Sequence, residues 1–183
     1  MKIKSGWAKS GWTIAAVSSL LAVSAANAGE TTRHEAQGLE NAKISLTEAI
    51  HIAERKGNGQ ATSAEYEYKS GKPSYYEVKV LRNDGQKLTK YELSTSTGDV
   101  KEVSDEKFEK LFTRIKPTAI QNAPTSLTRA ISTAEARAGG KATDAEVNRD
   151  GDQVEYKIEV AKADGTSETL KINGSDGKVA SAK

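Results

Sequence analysis

Side chains able to carry chemistry are few in this 183-residue chain. It has no Cys, so it offers no thiol nucleophile, thiolate ligand or disulfide, and its two imidazoles are His34 and His51. That pair lacks the i, i+4 spacing and the further ligands of a zinc site. His51 falls one position off an apolar helical stripe and His34 lies in a polar segment, so both read as solvated or half-buried. No Gly-x-Ser-x-Gly elbow lifts a serine onto a strand-to-helix turn, and no His-Glu-x-x-His occurs. Gly57-x-Gly59 follows a helical pattern and has no third glycine, so it reads as a helix stop rather than a dinucleotide loop. Asn148-x-Asp150-Gly151-Asp152 gathers oxygen ligands without the spacing or bidentate Glu of a calcium loop. An Asp-Gly hairpin turn accounts for it. The expectation is a non-enzymatic protein with no catalytic residue, no metal site and no cofactor.

The tyrosines are the exception to this poverty. Five of the six lie between 66 and 91, at Tyr66, Tyr68, Tyr75, Tyr76 and Tyr91. Strand alternation puts Tyr76, Val78 and Val80 on one face and Tyr75, Glu77, Lys79 and Leu81 on the other. Tyrosine combines a large apolar area with a polar tip, which suits an interface. Tyr75, Glu77, Lys79 and Leu81 are therefore the candidate surface for a protein or peptide partner. The competing expectation is that Tyr75 and Leu81 pack against the rest of the molecule.

The elements that must position these residues occur twice. Between 45–65 and 126–146, 81 positions apart, 12 of 21 residues are identical. Such self-similarity marks two copies of one module. In the first copy Ser45 and Glu48 form a capping box, and Leu46, Ala49, Ile50 and Ala53 follow at helical spacing until Gly57-Asn58-Gly59. Strands are expected around 64–68, 76–80 and 88–95, with a short fourth at 100–103, separated by turns at 70–73, Asn83-Asp84-Gly85 and Thr97-Gly98-Asp99. The second copy repeats the order: a helix from Ser126 to Gly139-Gly140, strands near 145–149, 154–160 and 169–172, and a closing Val179. Between them, Ser104-Asp105-Glu106 opens a connecting helix whose Phe108, Leu111, Phe112 and Ile115 share one face. Pro117 and Pro124 bracket the loop that follows.

Residues 1–28 read as an export signal cut after Ala28. Lys2, Lys4 and Lys9 precede an apolar run, Trp12 to Ala25, that is short for a membrane span, and Ala26-Asn27-Ala28 supplies small residues at the cut. The resulting expectation is a periplasmic or secreted protein with no membrane anchor after cleavage. Removing those three lysines leaves 24 basic against 25 acidic residues. Near-neutral, interleaved charge offers no basic patch for nucleic acid. Residues 29–43 are polar and read as a flexible arm.

Several short motifs recur in the same order in both copies. They are Ser-Leu-Thr-x-Ala-Ile, Tyr76-Glu-Val-Lys-Val80 with Tyr156-Lys-Ile-Glu-Val160, Asp84-Gly85 with Asp164-Gly165, and Gly98-x-Val100 with Gly177-x-Val179. Together they resemble the PepSY domain family over about 44–103 and 125–180. The family's Asp-Ala pair before the Thr-Gly turn is replaced here by Ser94-Thr95 and Asn173-Gly174. The resemblance implies an α+β fold of two tandem modules, 44–103 and 125–183, each one helix packed on a three- to four-stranded antiparallel sheet, joined by the amphipathic helix within 104–124. It also implies an exported binding module that inhibits or escorts a secreted peptidase. The alternative is an envelope stress protein that binds a small ligand or cation in the cleft between modules. Open strand edges would let an extended peptide join the sheet.

Overall fold

Ser45 starts the first long helix as its capping box demands. Its hydroxyl accepts from the Glu48 backbone N–H (3.2 Å), and its own N–H donates to Glu48 Oε2 (2.7 Å). The second copy keeps the cap, Ser126 accepting from Arg129 N–H at 3.2 Å, but Arg129 cannot return the bond. The computed structural model describes residues 33–69, 71–107, 115–150 and 153–182, with backbone alone at 105–107 and 149–150. The export segment, its cleavage site and the Phe108–Phe112 stretch lie outside the described residues, as do Gly151 and Asp152 of the Asp-Gly turn.

Residues 33–40 form helix α1, followed by α2 (Leu46–Gly57), β1 (Gly59–Glu67), β2 (Tyr75–Arg82), β3 (Lys87–Ser94) and β4 (Val100–Lys107). After a short helix α3 (Pro117–Gln121) the order repeats as α4 (Leu127–Ala138), β5 (Lys141–Asp150), β6 (Gln153–Ala161), β7 (Ser167–Asn173) and β8 (Val179–Ala182). The eight strands form one antiparallel sheet in the order β4-β3-β2-β1-β5-β6-β7-β8. The fold is α+β, as the repeat and alternation imply.

The join between modules is symmetric. Strand β1 pairs with β5 through Ser63↔Glu146, Ala64↔Ala145 and Glu65↔Asp144. Ala64 and Ala145 are repeat equivalents, so exchanging the modules maps this ladder onto itself about a local two-fold axis. Both alanines are fully buried, and α2 and α4 cover a single core on that side of the sheet. Leu46, Ala49, Ile50 and Ala53 of α2 are buried, as are Leu127, Ala130, Ile131 and Ala134 of α4. One shared core answers the weakness of two domains of about 60 residues, each of which would bury too little surface alone.

Two expectations fail. Strand β4 runs on to Lys107, so Ser104-Asp105-Glu106 is strand and not the start of a helix. Residues 104–107 complete ladder bonds to 87–90, which outweighs a local helix-start signal. Residues 33–40, expected within a flexible arm, are helical, with Ala36 buried and Leu39 packed on the core. Polar composition hid a single apolar face that the neighbouring module covers.

Helices α1 and α3 are themselves repeat equivalents. Asn41 N–H donates to Gln37 O and Asn122 N–H to Thr118 O, while Ala42 and Ala123 donate to Leu39 O and Ile120 O. Each helix clasps the opposite module. Gln121 of α3 donates through Nε2 to Asn83 O (3.3 Å) and accepts at its backbone O from Gln60 Nε2 (3.3 Å), while Pro117 lies against Gly85. Arg33 of α1 reaches the corresponding turn of the second module, donating to Asp164 O at 3.1 Å. A buried tyrosine anchors each crossing: Tyr76 OH donates to Ile44 O (2.8 Å) and Tyr156 OH to Thr125 O.

Candidate functional site

The face of the sheet away from α2 and α4 carries the candidate residues. Alternation along β2 buries Tyr76, Val78 and Val80 against α2 and turns Tyr75, Glu77 and Lys79 outward, half-buried. Leu81 departs from the expected surface: it is 0% exposed. Its ladder partner Gln60 and its neighbour Arg82 are both tied to Gln121, so α3 closes over this end of the strand. Leu81 is core and leaves the candidate set. Glu77 is engaged by two lysines, Lys90 at 3.1 Å and Lys79 at 3.5 Å, so it and Lys79 are occupied within the sheet.

Tyr75 remains. It lines a shallow groove with Pro73, Ser74 and Glu92, rimmed by Lys69, Lys72 and Lys101. Desolvation, then the nearby Glu67, hold its hydroxyl above the ordinary tyrosine range, so it is a neutral donor. At the equivalent place in the second module stands Glu155, 5% exposed and bound by Lys171 at 2.8 Å. The tyrosine of the groove is thus replaced in the second module by an ion-paired carboxylate.

The imidazoles lie apart. His51 is on the exposed side of α2 with Glu54 at 3.6 Å, and His34 stacks on the Tyr68 ring with centroids 6.1 Å apart. The described residues contain no group of three or more His, Cys, Asp or Glu placed to hold a metal.

A further feature depends on the ladder between modules. Glu92, Glu77, Glu65, Asp144 and Glu159 stand directly opposite one another on five neighbouring strands. Opposed residues lie about 4.5–5.5 Å apart, and like charges so placed repel. Burial pushes the Asp144 carboxyl up to about 6, with Glu146, Glu65 and Glu159 adding to the rise and Lys157 opposing it. Desolvation, then Glu67 and Glu77, also raise Glu65. The glutamates were readable one strand at a time; their alignment was not, because β1–β5 register is a long-range property.

A second cleft lies over the seam on the helix side, lined by Leu39, Lys43, Glu48, Tyr76, Glu135 and Lys141 among others. Its wall at Tyr76 is closed by the bond to Ile44 O.

With this geometry in place, the comparisons are decisive for family. The model described as peptidase propeptide and YPEB domain, PepSY, matches residues 43–103 and again 125–183. This chain belongs to the PepSY family. PepSY domains are non-catalytic modules of extracellular and periplasmic proteins. Among solved structures, a candidate lipoprotein of Clostridium difficile 630 is similar in fold. It is 21% identical with a TM-score of 0.50, covering 81% of this chain and 98% of its own. The YpmB protein of Bacillus subtilis is 16% identical with a TM-score of 0.31, covering 74% and 94%. No curated protein matches. No helix among the described residues is long and apolar enough to cross a membrane. The PepSY matches fall on the two structural repeats, and the short stretch between them contains α3.

Proposed function

We propose that this PepSY protein is exported, is not an enzyme, and binds an extended, acidic segment of another protein in the Tyr75 groove, restraining or escorting a secreted peptidase. The observation that carries this reading is the groove itself: an accessible tyrosine on a proline floor with Lys69, Lys72 and Lys101 at the rim. The ring supplies apolar area and the hydroxyl a directed donor, while the lysines favour an anionic chain and speed its approach. The groove borders strand β4, which ends the sheet with no further strand beyond it among the described residues, an edge suited to main-chain pairing. The family's description as a peptidase propeptide supports a peptidase as the partner class. The test is a photo-crosslinking residue at position 75 of mature 29–183, mixed with the exported proteins of the source cells. The expected result is one saturable adduct with a peptidase, absent when the crosslinker sits at 155. Equal labelling from both positions, or no adduct, contradicts the reading.

The cleft over the seam favours a second reading, a small ligand held between Lys43, Glu48 and Lys141. A ligand of that kind raises the melting temperature with the logarithm of its concentration once above its Kd, by mass action. A screen of small anions and divalent cations with no such shift removes it.

A further inference from the structure

We propose that helix α1 is an acid-tightened strap: protonation of the carboxylates Glu35, Glu65 and Asp144, which stand beside Glu159, strengthens its hold across the seam between the two modules. The geometry is that of a negative cluster at the symmetric join. Glu65 and Asp144 oppose each other in the β1–β5 ladder, and Glu159 opposes Asp144 on β6. Helix α1 brings Glu35, half-buried, into the field of Glu159 and Glu65.

The nearby cations are paired with other acids of the same surface. Lys79 and Lys90 are on Glu77, Lys157 is on Glu146 at 3.1 Å, and Lys171 is on Glu155. Arg33 of the strap itself points to the Asp164 carbonyl. The groups facing the cluster are therefore Glu35 from α1, Glu65 and Glu67 from β1, and Glu77 and Lys79 from β2. From β5 come Asp144 and Glu146, and from β6 Lys157 and Glu159. Acids outnumber lysines in this set by seven to two, with β2 and β6 each contributing one of either sign.

The strap has no slack to relieve this repulsion by shifting. Ala36 is buried, and Gly38 lies so close beneath the Tyr66 hydroxyl that a Cβ there would collide with it. Carboxyls held above their ordinary range in the folded protein give stability that is complete when they are protonated. That stability is lost as the pH rises through their folded values, about 6 for Asp144. The strap is thus firm near pH 5 and loosened at pH 7.5.

The test is hydrogen exchange of the backbone amides of 36–42 in the mature chain at pH 5.0 and 7.5, corrected for intrinsic rates. Protection of these amides is expected to be about tenfold greater at the lower pH, the equivalent of one pKa unit of linkage. In Asp144→Asn, and separately in Glu35→Gln, the ratio falls below about threefold. Glu35→Gln changes only the strap, so it decides the matter should Asp144→Asn disturb the sheet. His34→Gln keeps the full ratio, which separates the carboxylates from the imidazole that stacks on Tyr68. A ratio near one in the parent, an undiminished ratio in Glu35→Gln, or loss of the ratio in His34→Gln overturns the proposal.

Discussion

Set side by side, the two modules agree wherever the fold needs a residue and differ wherever a surface is free. Ser45 and Ser126 cap α2 and α4. Glu54 and Glu135 each accept from a strand amide, Ala61 and Ala142, at 3.0 Å. Thr62 and Thr143 sit at the register irregularity of β1 and β5 and donate to Lys79 O and Glu159 O. Ala64 and Ala145 meet at the two-fold axis. Most identities of the repeat are thus consumed by caps, bulges, core and join. Function is to be sought in the differences, and the largest of these is Tyr75 against the ion-paired Glu155.

The heaviest blow to this symmetry should come from a buried difference. Leu81 and Ala161 occupy equivalent places, both buried beneath clasped ends of the sheet. Leu81→Ala makes the first module like the second in sequence but leaves the volume that α3 closes over. We expect a loss of about 2–5 kcal/mol in urea unfolding, the usual range for emptying a buried leucine site. A loss below about 1 kcal/mol would show that α3 collapses onto the smaller residue and that the clasp is not rigid.

The two clasps differ next. Gly38 of α1 corresponds to Ala119 of α3, and Tyr66, whose hydroxyl fills the space above Gly38, corresponds to Val147. Gly38→Ala therefore overpacks only the first clasp, at a cost of about 1–3 kcal/mol. Tyr66→Val should recover much of that cost in the double variant, while Tyr66→Val alone destabilises. Independent, additive effects would break the correspondence.

The smallest effect is electrostatic. Asp144 stands where the first module has Ser63, and its carboxyl is held up at about 6. Its contribution is complete below the ordinary aspartate value near 4 and is lost as pH rises through about 6. Asp144→Ser should therefore gain on the parent between pH 4 and 6.5, by about 1 kcal/mol once solvent screening of a half-buried group is allowed for. Chemical unfolding of both proteins across that range measures it; a constant difference contradicts the assignment.

Local chemistry made much of this architecture legible in the chain. The Ser45/Glu48 box, the inward Tyr76, Val78 and Val80, and the glycines at 85, 98 and 177 with positive φ all follow from short-range rules. The continuous sheet did not follow, because nothing local distinguishes an alanine that meets its repeat equivalent from one under a helix. The clasps were hidden for a related reason. Polar 33–40 and the Pro117 segment each bury one or two apolar residues, among them Ala36 and Ile120, too few to register as periodicity. Of the candidate surface, Tyr75, Glu77 and Lys79 face outward as alternation requires. Leu81 does not stay exposed, since α3 closes over it through Gln121, which binds the adjacent Arg82 carbonyl from 39 residues away in sequence.

The claim that the first module carries a binding surface and the second does not rests on Tyr75 being accessible without being structural. Tyr75→Ala, measured for both thermal stability and partner capture, tests it most directly. The account predicts a melting temperature within about 2 °C of the parent, as for surface changes of about 0.5 kcal/mol or less. It also predicts that the crosslinked or co-purified peptidase is lost at least tenfold. A loss of several kcal/mol of stability would make Tyr75 a core residue, and unchanged capture would remove it from the binding surface; either contradicts the assignment.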